Sequence, residues 1–260
     1  MLITLTTDFG YADPYVGIMK GVICRIDSHA RIVDLSHGVP AQNIMAGALA
    51  LRHSLQYFPR GTIHIAVVDP GVGSTRRPLL VEADGNYLLG PDNGVLSLAM
   101  ARERRSRIIH LSNTTYHLQP TSSTFHGRDI FAPVAGYLSL GIAPEAFGET
   151  TDDCVELSWP AMVRTETSIE GTIVYIDVFG NLFTNIREHD LEELSGLPLR
   201  ITVRDLSIHG LAGHYAAVEP GKYVALINSW GLLEIAIYKD SAQRRSGAIL
   251  GDKVEVARVP

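Results

Sequence analysis

The sequence predicts an α/β fold in two parts: an N-terminal Rossmann-like α/β domain with a mostly parallel sheet over residues 1–155, and a smaller C-terminal all-β barrel domain over residues 165–260. In the first part, short β-rich apolar runs alternate with longer helical patterns, which is typical of a parallel sheet covered on both faces. From about residue 150, short strand-like runs continue without comparable helices, as in a small barrel or sandwich. A polar connector containing Pro144, Gly148 and Asp152 separates the two patterns.

Apolar positions and turn residues place the elements of the first part. Within Asn43–Tyr57, apolar residues recur every three or four positions, so one stripe faces the sheet, and Asn43 can cap the helix. The predicted helices are Tyr15–Ile26, Asn43–Tyr57, Gly94–Arg104 and Arg128–Leu140. The predicted strands are Leu2–Thr6, Arg31–Leu35, Thr62–Val68, Leu79–Ala83, Tyr87–Leu89 and Arg107–Leu111.

The second part is predicted to be nearly all strand. One segment, Asp190–Leu194, has a helical pattern. The predicted strands are Gly171–Ile176, Leu199–Val203, Tyr223–Ile227, Leu232–Tyr238 and Lys253–Ala257.

Composition excludes several classes of protein. Of the 260 residues, 46% are hydrophobic and 19% are charged, which is typical of a globular protein with a sizeable core. The net charge of −6 gives no basic footprint for nucleic acid. No uncharged run approaches the length of a membrane span and no signal peptide is visible, so we expect a cytoplasmic protein.

Residue spacing excludes some kinds of site. Cys24 and Cys154 lie far apart in apolar settings, so they indicate neither a metal site nor a disulfide framework, and we expect two buried thiols. The glycines of Gly71-Val72-Gly73 are not followed by the residues of a phosphate-binding loop. A nucleoside triphosphate is therefore not supported, and an NAD-type oxidoreductase lacks its glycine fingerprint.

The segment from Asp69 to Arg77 is the first candidate for chemistry. Asp69 follows the apolar run Ile65–Val68, so it should stand at the carboxyl end of a strand, where open α/β sheets place their ligands. Pro70 and two glycines then form a tight turn, and Arg76 returns a fixed positive charge nearby. Taken singly, such an Asp is more often a turn former or a helix cap, and such an Arg a solvated surface group.

The segment Thr124–Phe131 adds an imidazole. His126 lies in a Gly-flanked turn that opens a predicted helix, where a rigid scaffold can hold a loop residue. Together, Asp69, Arg76 and His126 would form a polar cluster that holds and polarises a water molecule with no metal or cofactor.

Two further carboxylates stand near the first strand. Asp8 directly follows Leu2–Thr6 and Thr7, a position from which it could accept hydrogen bonds from a ribose diol. Asp13 lies five residues later and could hold an ammonium group. The alternatives are a turn for Asp8 and a helix cap for Asp13, which precedes Pro14.

The second part contains a dense group of recognition side chains. The segment Asp177–Ile186 interleaves a carboxylate, two amides and two aromatic rings, and such groups can stack a purine and read its edge. The alternative is a hairpin whose phenylalanines face the core. Asn228–Gly231 is predicted as a hairpin turn, and Glu234 in the following strand faces either solvent or a ligand's donor.

These motifs, in this order, resemble the S-adenosyl-L-methionine (SAM) hydroxide adenosyltransferase family, which is related to the adenosyl fluorinase and chlorinase. The resemblance covers nearly the whole chain. It is carried by Thr7-Asp8-Phe9-Gly10, Val68-Asp69-Pro70-Gly71-Val72-Gly73 with Arg76-Arg77, Phe125-His126-Gly127-Arg128-Asp129, Phe179-Gly180-Asn181 with Thr184-Asn185-Ile186, and Asn228-Ser229 with Gly231. It implies a homotrimer that binds SAM between the first domain of one subunit and the second domain of its neighbour.

The resemblance also assigns roles to residues. Asp69, Arg76 and His126 match the water-activating trio of the hydroxide-using members, whereas the halogenase relatives place Tyr at the position of Asp69. The implied substrate-binding residues are Asp8 for ribose, Asp13, Asp177 and Ser229 for the methionine group, Asn181 for adenine, and Phe179, Phe183 and Tyr215 for its apolar surround, with Glu234 and Gln42 as weaker assignments. Trp230 departs from the fluorinase, which has Arg there.

The implied reaction is hydrolysis of SAM to adenosine and L-methionine. Activated water or hydroxide attacks the ribose C5′, and SAM is the substrate rather than a cofactor. The alternatives are a halide-using adenosyltransferase and a non-catalytic protein that binds adenosine or SAM.

Overall fold

A computed structural model of the chain describes residues 1–100, 105–194, 196 and 198–259. It divides into two compact units, Met1–Leu157 and Ser158–Pro260. Within the described residues, no helix is both long and apolar enough to cross a membrane.

The first unit is built on a seven-stranded sheet in the order β2-β1-β3-β5-β4-β6-β7. β2, β1, β3 and β5 pair in parallel, and β6 runs in the same direction because it is antiparallel to β4, which is antiparallel to β5. The predicted mostly parallel sheet is therefore confirmed. Its described strands are β1 (Leu2–Thr7), β2 (Arg31–Ser36), β3 (Ile63–Val67), β4 (Pro78–Ala83), β5 (Asn86–Pro91), β6 (Arg105–His110) and β7 (Glu149–Thr151).

Helices cover both faces of this sheet. On one face, α1 (Tyr15–Ile26) and α3 (Ala132–Ser139) pack together over apolar side chains such as Leu5 and Ile65. On the other face, α2 (Ile44–Ser54) packs closely, because a Cβ on Gly47 would lie 2.8 Å from the Val68 side chain. Alternation along the strands gives each face its own set of buried residues.

The predicted helices of the first unit mostly agree with the structure. α1 has the predicted bounds, and Asn43 caps α2 by accepting a 2.9 Å hydrogen bond from the Ala46 N–H. The helix predicted over Gly94–Arg104 is wrong where it can be assessed: residues 94–100 hold a short 3-10 turn, Ser97–Ala99, and residues 101–104 lie outside the described residues. The fourth helix begins with a π-helical turn, Gly127–Phe131, before α3.

The second unit is an antiparallel, nearly closed barrel in the order β12-β11-β15-β9-β10-β14-β13, with β8 paired to β9. A 2.8 Å hydrogen bond from the Ala212 N–H to the Ala225 carbonyl links the segment after β12 to β13. The predicted barrel is confirmed. Its described elements are β8 (Val163–Arg164), β9 (Ser168–Ile176), β10 (Leu182–Arg187), β11 (Leu199–Val203), β12 (Leu206–His209), β13 (Tyr223–Ile227), β14 (Leu232–Ile237), α4 (Ala242–Ser246) and β15 (Lys253–Arg258).

Several features of the structure differ from the sequence predictions. β7, β8, β10, β12 and α4 had no predicted counterpart, and the helical segment predicted over Asp190–Leu194 is a 3-10 helix, Glu188–Leu194. The expectation of two buried thiols is also wrong. Cys24 is exposed on α1, and Cys154 is half-buried.

Candidate active site

The carboxyl ends of β1 and β3 form the edge of the sheet at which the candidate site begins. Thr7 pairs with Val67 in register, so Asp8 and Asp69 follow neighbouring parallel strands at the same edge. The chain leaves β1 toward β2 on one side and leaves β3 toward β4 and β5 on the other. Because the connections diverge here, this edge is a topological switch point, the usual ligand-binding position in open α/β sheets.

Asp69, Arg76 and His126 meet in one hydrogen-bonded group. The Arg76 Nε donates to Asp69 Oδ1 at 3.0 Å, and Nη2 donates to Asp69 Oδ2. The same Nη2 donates to His126 Nδ1 at 2.7 Å. The side chains of Arg76 and Asp69 are 9% and 4% exposed. The ion pair is therefore bidentate and nearly dry, and the guanidinium lies between the carboxylate and the imidazole.

One atom of this group, Arg76 Nη1, remains available for a ligand. Arg76 Nη1 is buried, and no hydrogen-bond partner for it occurs among the described residues. His126 Nδ1 must accept from Arg76, because a guanidinium can only donate, so the proton of the neutral ring lies on Nε2. A buried N–H of a charged group without a partner is costly, which favours a bound water or substrate atom beside Nη1.

The electrostatics of the group keep His126 uncharged near neutral pH. Burial lowers the pKa of His126, and the positive charge of Arg76 lowers it further. Asp69 and Asp129 act in the opposite direction without reversing the shift.

Two glycines allow the segments that carry this group to approach each other. Gly73 has a φ of +77°, and a Cβ there would overlap the Ser123 carbonyl oxygen, so the turn after Asp69 packs directly on the loop before His126. Gly127 packs against α1, where a Cβ would lie 3.1 Å from Met19 Sδ.

The neighbouring Arg77 has a different set of partners. Its guanidinium pairs with Asp92 at 2.6 Å and with Asp153 at 2.9 Å, and it donates to the Thr151 hydroxyl at 3.2 Å. These contacts tie β4 to the segment after β7. Arg77 is therefore a structural residue next to the candidate site.

The two carboxylates after β1 lie in different environments. Asp8 is half-buried, and its Oδ2 accepts a 2.8 Å hydrogen bond from the Gln42 backbone N–H. Asp13 is exposed, and Pro14 precedes α1 without any side-chain cap. The helix-cap alternative for Asp13 is therefore wrong.

The segment after β9 forms a turn organised by Asp177. Its Oδ1 accepts from the N–H groups of Phe179 and Asn181 at 2.9 and 2.8 Å, and its Oδ2 accepts from Asn181 Nδ2 at 3.0 Å. Gly180, with a φ of +81°, packs against Ser241. The predicted hairpin alternative is thus correct for the backbone, while the Phe179 side chain is 72% exposed.

A cavity of about 590 Å³ in the second unit gathers several predicted residues. Asp177, Phe179, Asn181 and Tyr215 all line it. Lys239 and Arg244 also line this cavity, and they were not predicted because they follow β14 without any motif that marks them. Its remaining lining residues are Val178, Ile237, Tyr238 and Asp240.

Phe183, Glu234 and Ser229 are not part of the lining of that cavity. Phe183 is buried against Tyr175 and Trp230, with ring centroids 5.4 and 5.0 Å away. Ser229 is exposed on the predicted hairpin turn between β13 and β14.

Glu234 is fully buried on β14, so the solvent-facing alternative for it is wrong. Its Oε1 accepts a 2.8 Å hydrogen bond from the Tyr215 hydroxyl, and burial raises its pKa. Asn185, in the segment Asp177–Ile186, also has a structural role. Its side chain accepts a hydrogen bond from the Thr172 N–H at 2.6 Å and donates one to the Pro160 carbonyl at 2.9 Å.

A metal centre is not evident in the described part of the chain. No group of three or more His, Cys, Asp or Glu side chains there is arranged to hold a metal ion.

Comparison with known proteins identifies the class to which this fold and site belong. The N-terminal domain of the SAM hydroxide adenosyltransferases matches residues 3–148, and their C-terminal domain matches residues 171–255. The chain belongs to the SAM hydroxide adenosyltransferase family.

Individual relatives extend the match over almost the full length. The chain is 34% identical to an (R)-S-adenosyl-L-methionine hydrolase from Methanocaldococcus jannaschii, over 98% of this chain and 95% of that protein. A hydrolase of the same name from Thermus thermophilus is also 34% identical, over 93% of each chain. A fluorinase from an Actinoplanes species is 25% identical over 90% of each chain. A solved structure of an uncharacterized conserved protein from Thermotoga maritima superposes with a TM-score of 0.91 at 32% identity, covering 99% of this chain and 100% of that one.

Proposed function

We propose that the protein hydrolyses SAM to adenosine and L-methionine. The observation that carries this proposal is the Asp69–Arg76–His126 group, in which a buried guanidinium holds a carboxylate and a neutral imidazole while its Nη1 has no partner among the described residues. The hydrolase relatives match nearly the whole chain, which supports the same reaction here.

In the proposed mechanism, a water molecule binds beside Arg76 Nη1 and attacks the ribose C5′ in line with the C5′–S bond. The new bond is C5′–O, and the electrons of the C5′–S bond leave with the sulfur of methionine. Asp69 accepts a hydrogen bond from the water and then its proton, Arg76 stabilises the developing hydroxide, and His126 orients the water.

The charges of the reaction suit a site without a general acid. A sulfonium leaves as a neutral thioether, so the leaving group needs no proton, and the protein must mainly position and deprotonate one water molecule. Hydroxide and sulfonium carry opposite charges that cancel in the transition state. A nearly dry ion pair such as Asp69–Arg76 is consistent with that requirement.

We propose the substrate-binding roles by family resemblance together with position. Asp8 would bind the ribose diol, and Asp13, Asp177 and Ser229 the methionine group. Asn181 would read adenine, and its amide oxygen would accept from the adenine amino group, because Nδ2 already donates to Asp177.

The apolar surround of adenine divides between direct and indirect contacts. Phe179 and Tyr215 would contact the base from the cavity wall, and Phe183 would support that wall from behind. Glu234 would act through its hydrogen bond with Tyr215, since it is fully buried.

We further propose that the active species is a cytoplasmic homotrimer in which the first domain of one copy and the second domain of the next complete each site. The reaction would need neither a metal nor an organic cofactor. The division of the proposed residues between two compact units supports the first proposal, and the chemistry of a neutral leaving group supports the second.

The test is to incubate the purified protein with SAM and to measure adenosine and methionine by chromatography. Because the relatives are named for the (R) form, both sulfur epimers should be supplied separately. Turnover should be unchanged after dialysis against EDTA. Asp69→Asn should lower kcat about a hundredfold or more, because a positioned acid–base group is lost.

Asp153→Asn is the matched control, because Asp153 belongs to the neighbouring Arg77 ion pair and is 81% exposed. It should retain wild-type turnover. Wild-type turnover by Asp69→Asn would rule out the proposed role of that carboxylate. Halogenated adenosine formed in the presence of chloride or fluoride would indicate a halide-using enzyme, and tight adenosine binding without methionine release would indicate a binding protein.

A further inference from the structure

A chain of buried polar contacts that the proposed reaction does not use lies beside the loop that carries Asp8. The chain runs from Asp34 at the end of β2 through His37 to Thr7 at the end of β1, and we refer to it as the Asp34–His37–Thr7 chain. Thr7 and His37 are 0% and 2% exposed. These residues therefore cannot touch a ligand directly.

His37 is the central member of this chain, and each of its ring nitrogens lies against a polar side chain. Nδ1 lies 2.8 Å from the Thr7 hydroxyl, and Nε2 lies 3.0 Å from Asp34 Oδ1. Asp34 is an acceptor, so the ring proton belongs on Nε2 and Nδ1 accepts from the Thr7 hydroxyl. The Tyr11 ring packs edge-on against the imidazole at a centroid distance of 5.0 Å.

The Asp34 end of the chain is anchored by charge. Lys20 Nζ and the Tyr11 hydroxyl donate to Asp34 Oδ2 at 2.6 and 3.0 Å. Burial raises the pKa of Asp34, but hydrogen bonds from Lys20, His37 and Tyr11 outweigh burial and hold it below its ordinary value. Asp34 is therefore an ionised acceptor at neutral pH, toward which the donors of the chain point.

The Thr7 end of the chain fixes the loop backbone. The Thr7 hydroxyl donates to His37, so its lone pairs can accept the 3.2 Å hydrogen bond from the Phe9 N–H. The Gly10 N–H donates to the His37 carbonyl at 2.8 Å. Phe9 and Gly10 are thus hydrogen-bonded through their backbone N–H groups to Thr7 and His37. Hydrogen bonds linked in this way polarise one another.

We propose that the Asp34–His37–Thr7 chain is a positioning device that sets the affinity of the site for the ribose of its nucleoside substrate by orienting Asp8. The proposal deepens the proposed function and rests on it. A ribose diol is held alike before and during attack at C5′, so loss of this orientation should raise KM and leave kcat nearly unchanged. Loss of the Asp69–Arg76–His126 group should do the reverse.

The same strand contains a matched pair that serves as a control. Thr4 donates or accepts a 2.8 Å hydrogen bond with His64 Nδ1, and both residues are 0% exposed, as in the Thr7–His37 pair. Thr4 and His64 lie on β1 and β3 away from the Asp8 loop. Removing the Thr4 hydroxyl therefore makes the same chemical change without reaching Asp8.

The experiment compares Thr7→Val with Thr4→Val by calorimetric titration with adenosine, alongside KM and kcat for SAM. Thr7→Val should weaken adenosine binding and raise KM by about tenfold, the size expected when a buried N–H loses its acceptor, with kcat within about threefold of wild type. Thr7→Ser, which keeps the hydroxyl, should restore both values. Thr4→Val should lower the melting temperature similarly but change neither value.

Asp34→Asn is the second variant if Thr7→Val does not fold, because it keeps the side-chain shape and removes the charge that anchors the chain. It should also raise KM and the dissociation constant of adenosine. Wild-type adenosine affinity in Thr7→Val or Asp34→Asn would overturn the proposal, as would equal weakening by Thr7→Val and Thr4→Val. If the wild-type protein binds adenosine without hydrolysing SAM, the proposed reaction is wrong, but the variants still test the Asp34–His37–Thr7 chain. If the wild-type protein binds no adenosine, both the proposed reaction and this inference are wrong.

Discussion

Arg76 is the residue on which the candidate site depends most. One guanidinium holds both oxygens of Asp69, donates to His126, and keeps a buried N–H at Nη1 for which the described residues offer no partner. The guanidinium therefore orders Asp69 and His126 and leaves Nη1 available to a ligand. Lys could not replace it, because an ammonium cannot make the same planar, bidentate contact.

The protonation state of His126 gives a pH dependence with a definite sign. Burial and Arg76 lower the pKa of His126, and the neutral ring is the form that accepts from Arg76. Hydrolysis should therefore persist as the pH falls through about 6.5, the ordinary pKa of histidine, and should be lost at lower pH when the ring protonates. The measurement is the pH profile of kcat/KM.

The variant His126→Asn should lower turnover and lose this acid limb, because Asn does not titrate. An acid limb of the wild-type protein with its midpoint above 6.5, or the same limb in His126→Asn, would contradict the assignment.

At this scale the sequence predicted the strand-end position of Asp69, but not the contacts within the Asp69–Arg76–His126 group. Strand-end position was enough to predict Asp69, because parallel strands deliver their following residues to one edge. The sharing of Arg76 Nη2 between Asp69 and His126 depends on a loop distant in sequence and has no local pattern. The burial of Glu234 was equally unpredictable, since Tyr215 reaches it from a separate turn.

Among the elements, the turn after β3 decides whether the site assembles. Gly73 adopts a left-handed conformation and leaves no room for a Cβ against Ser123. Gly73→Ala should therefore push the turn away from the loop before His126, separate Arg76 from the imidazole, and lower kcat by about tenfold or more. It should also cost about 1–3 kcal/mol of unfolding free energy.

Gly141→Ala is the control for backbone strain alone. Gly141 has a φ of +91° after α3, and nothing lies within 4 Å of its would-be Cβ. It should lose stability while kcat stays near wild type, as measured by denaturant unfolding and initial rates. Equal kcat values for the two variants would show that the approach of the turn to Ser123 is not needed.

Whether an element was predicted depends on whether its signal lies within its own segment of the sequence. α1 was predicted to the residue, because its apolar stripe is regular. The start of α2 was predicted from Asn43, a strong cap, whereas its end was placed three residues too late, at Tyr57 instead of Ser54. The π-helical turn at Gly127–Phe131 depends on tertiary packing against Met19, and β10 was hidden because its polar residues bond inside the barrel. Such features follow from contacts between distant segments and not from periodicity.

At the scale of the whole molecule, the proposed residues divide between the two compact units. The proposed water-activating group belongs to Met1–Leu157, and the proposed adenine-binding residues belong to Ser158–Pro260. Each unit has a hydrophobic core of its own. This division makes the proposed assembly testable by mixing inactive copies.

Asp69→Asn and Asn181→Ala should each be nearly inactive alone, but co-assembly in equal amounts should restore about a quarter of wild-type activity if each site is completed by another copy. The active sites in the mixture are those in which the unit Met1–Leu157 of one copy and the unit Ser158–Pro260 of another both lack a substitution. The control mixes Asp69→Asn with His126→Asn, which alter the same unit, and it should restore nothing. No recovery in the first mixture would indicate that each chain uses its own two halves.

Arg76 and Arg77 are adjacent at the end of the turn after β3, but their side chains have different partners. Arg76 contacts Asp69 and His126, whereas Arg77 contacts Asp92 and Asp153. β4 begins at the residue after Arg77, so a shift of the pair by one residue relative to β4 would bring Arg77 to the place of Arg76. The position of the two arginines relative to β4 is therefore as important to the candidate site as their charge.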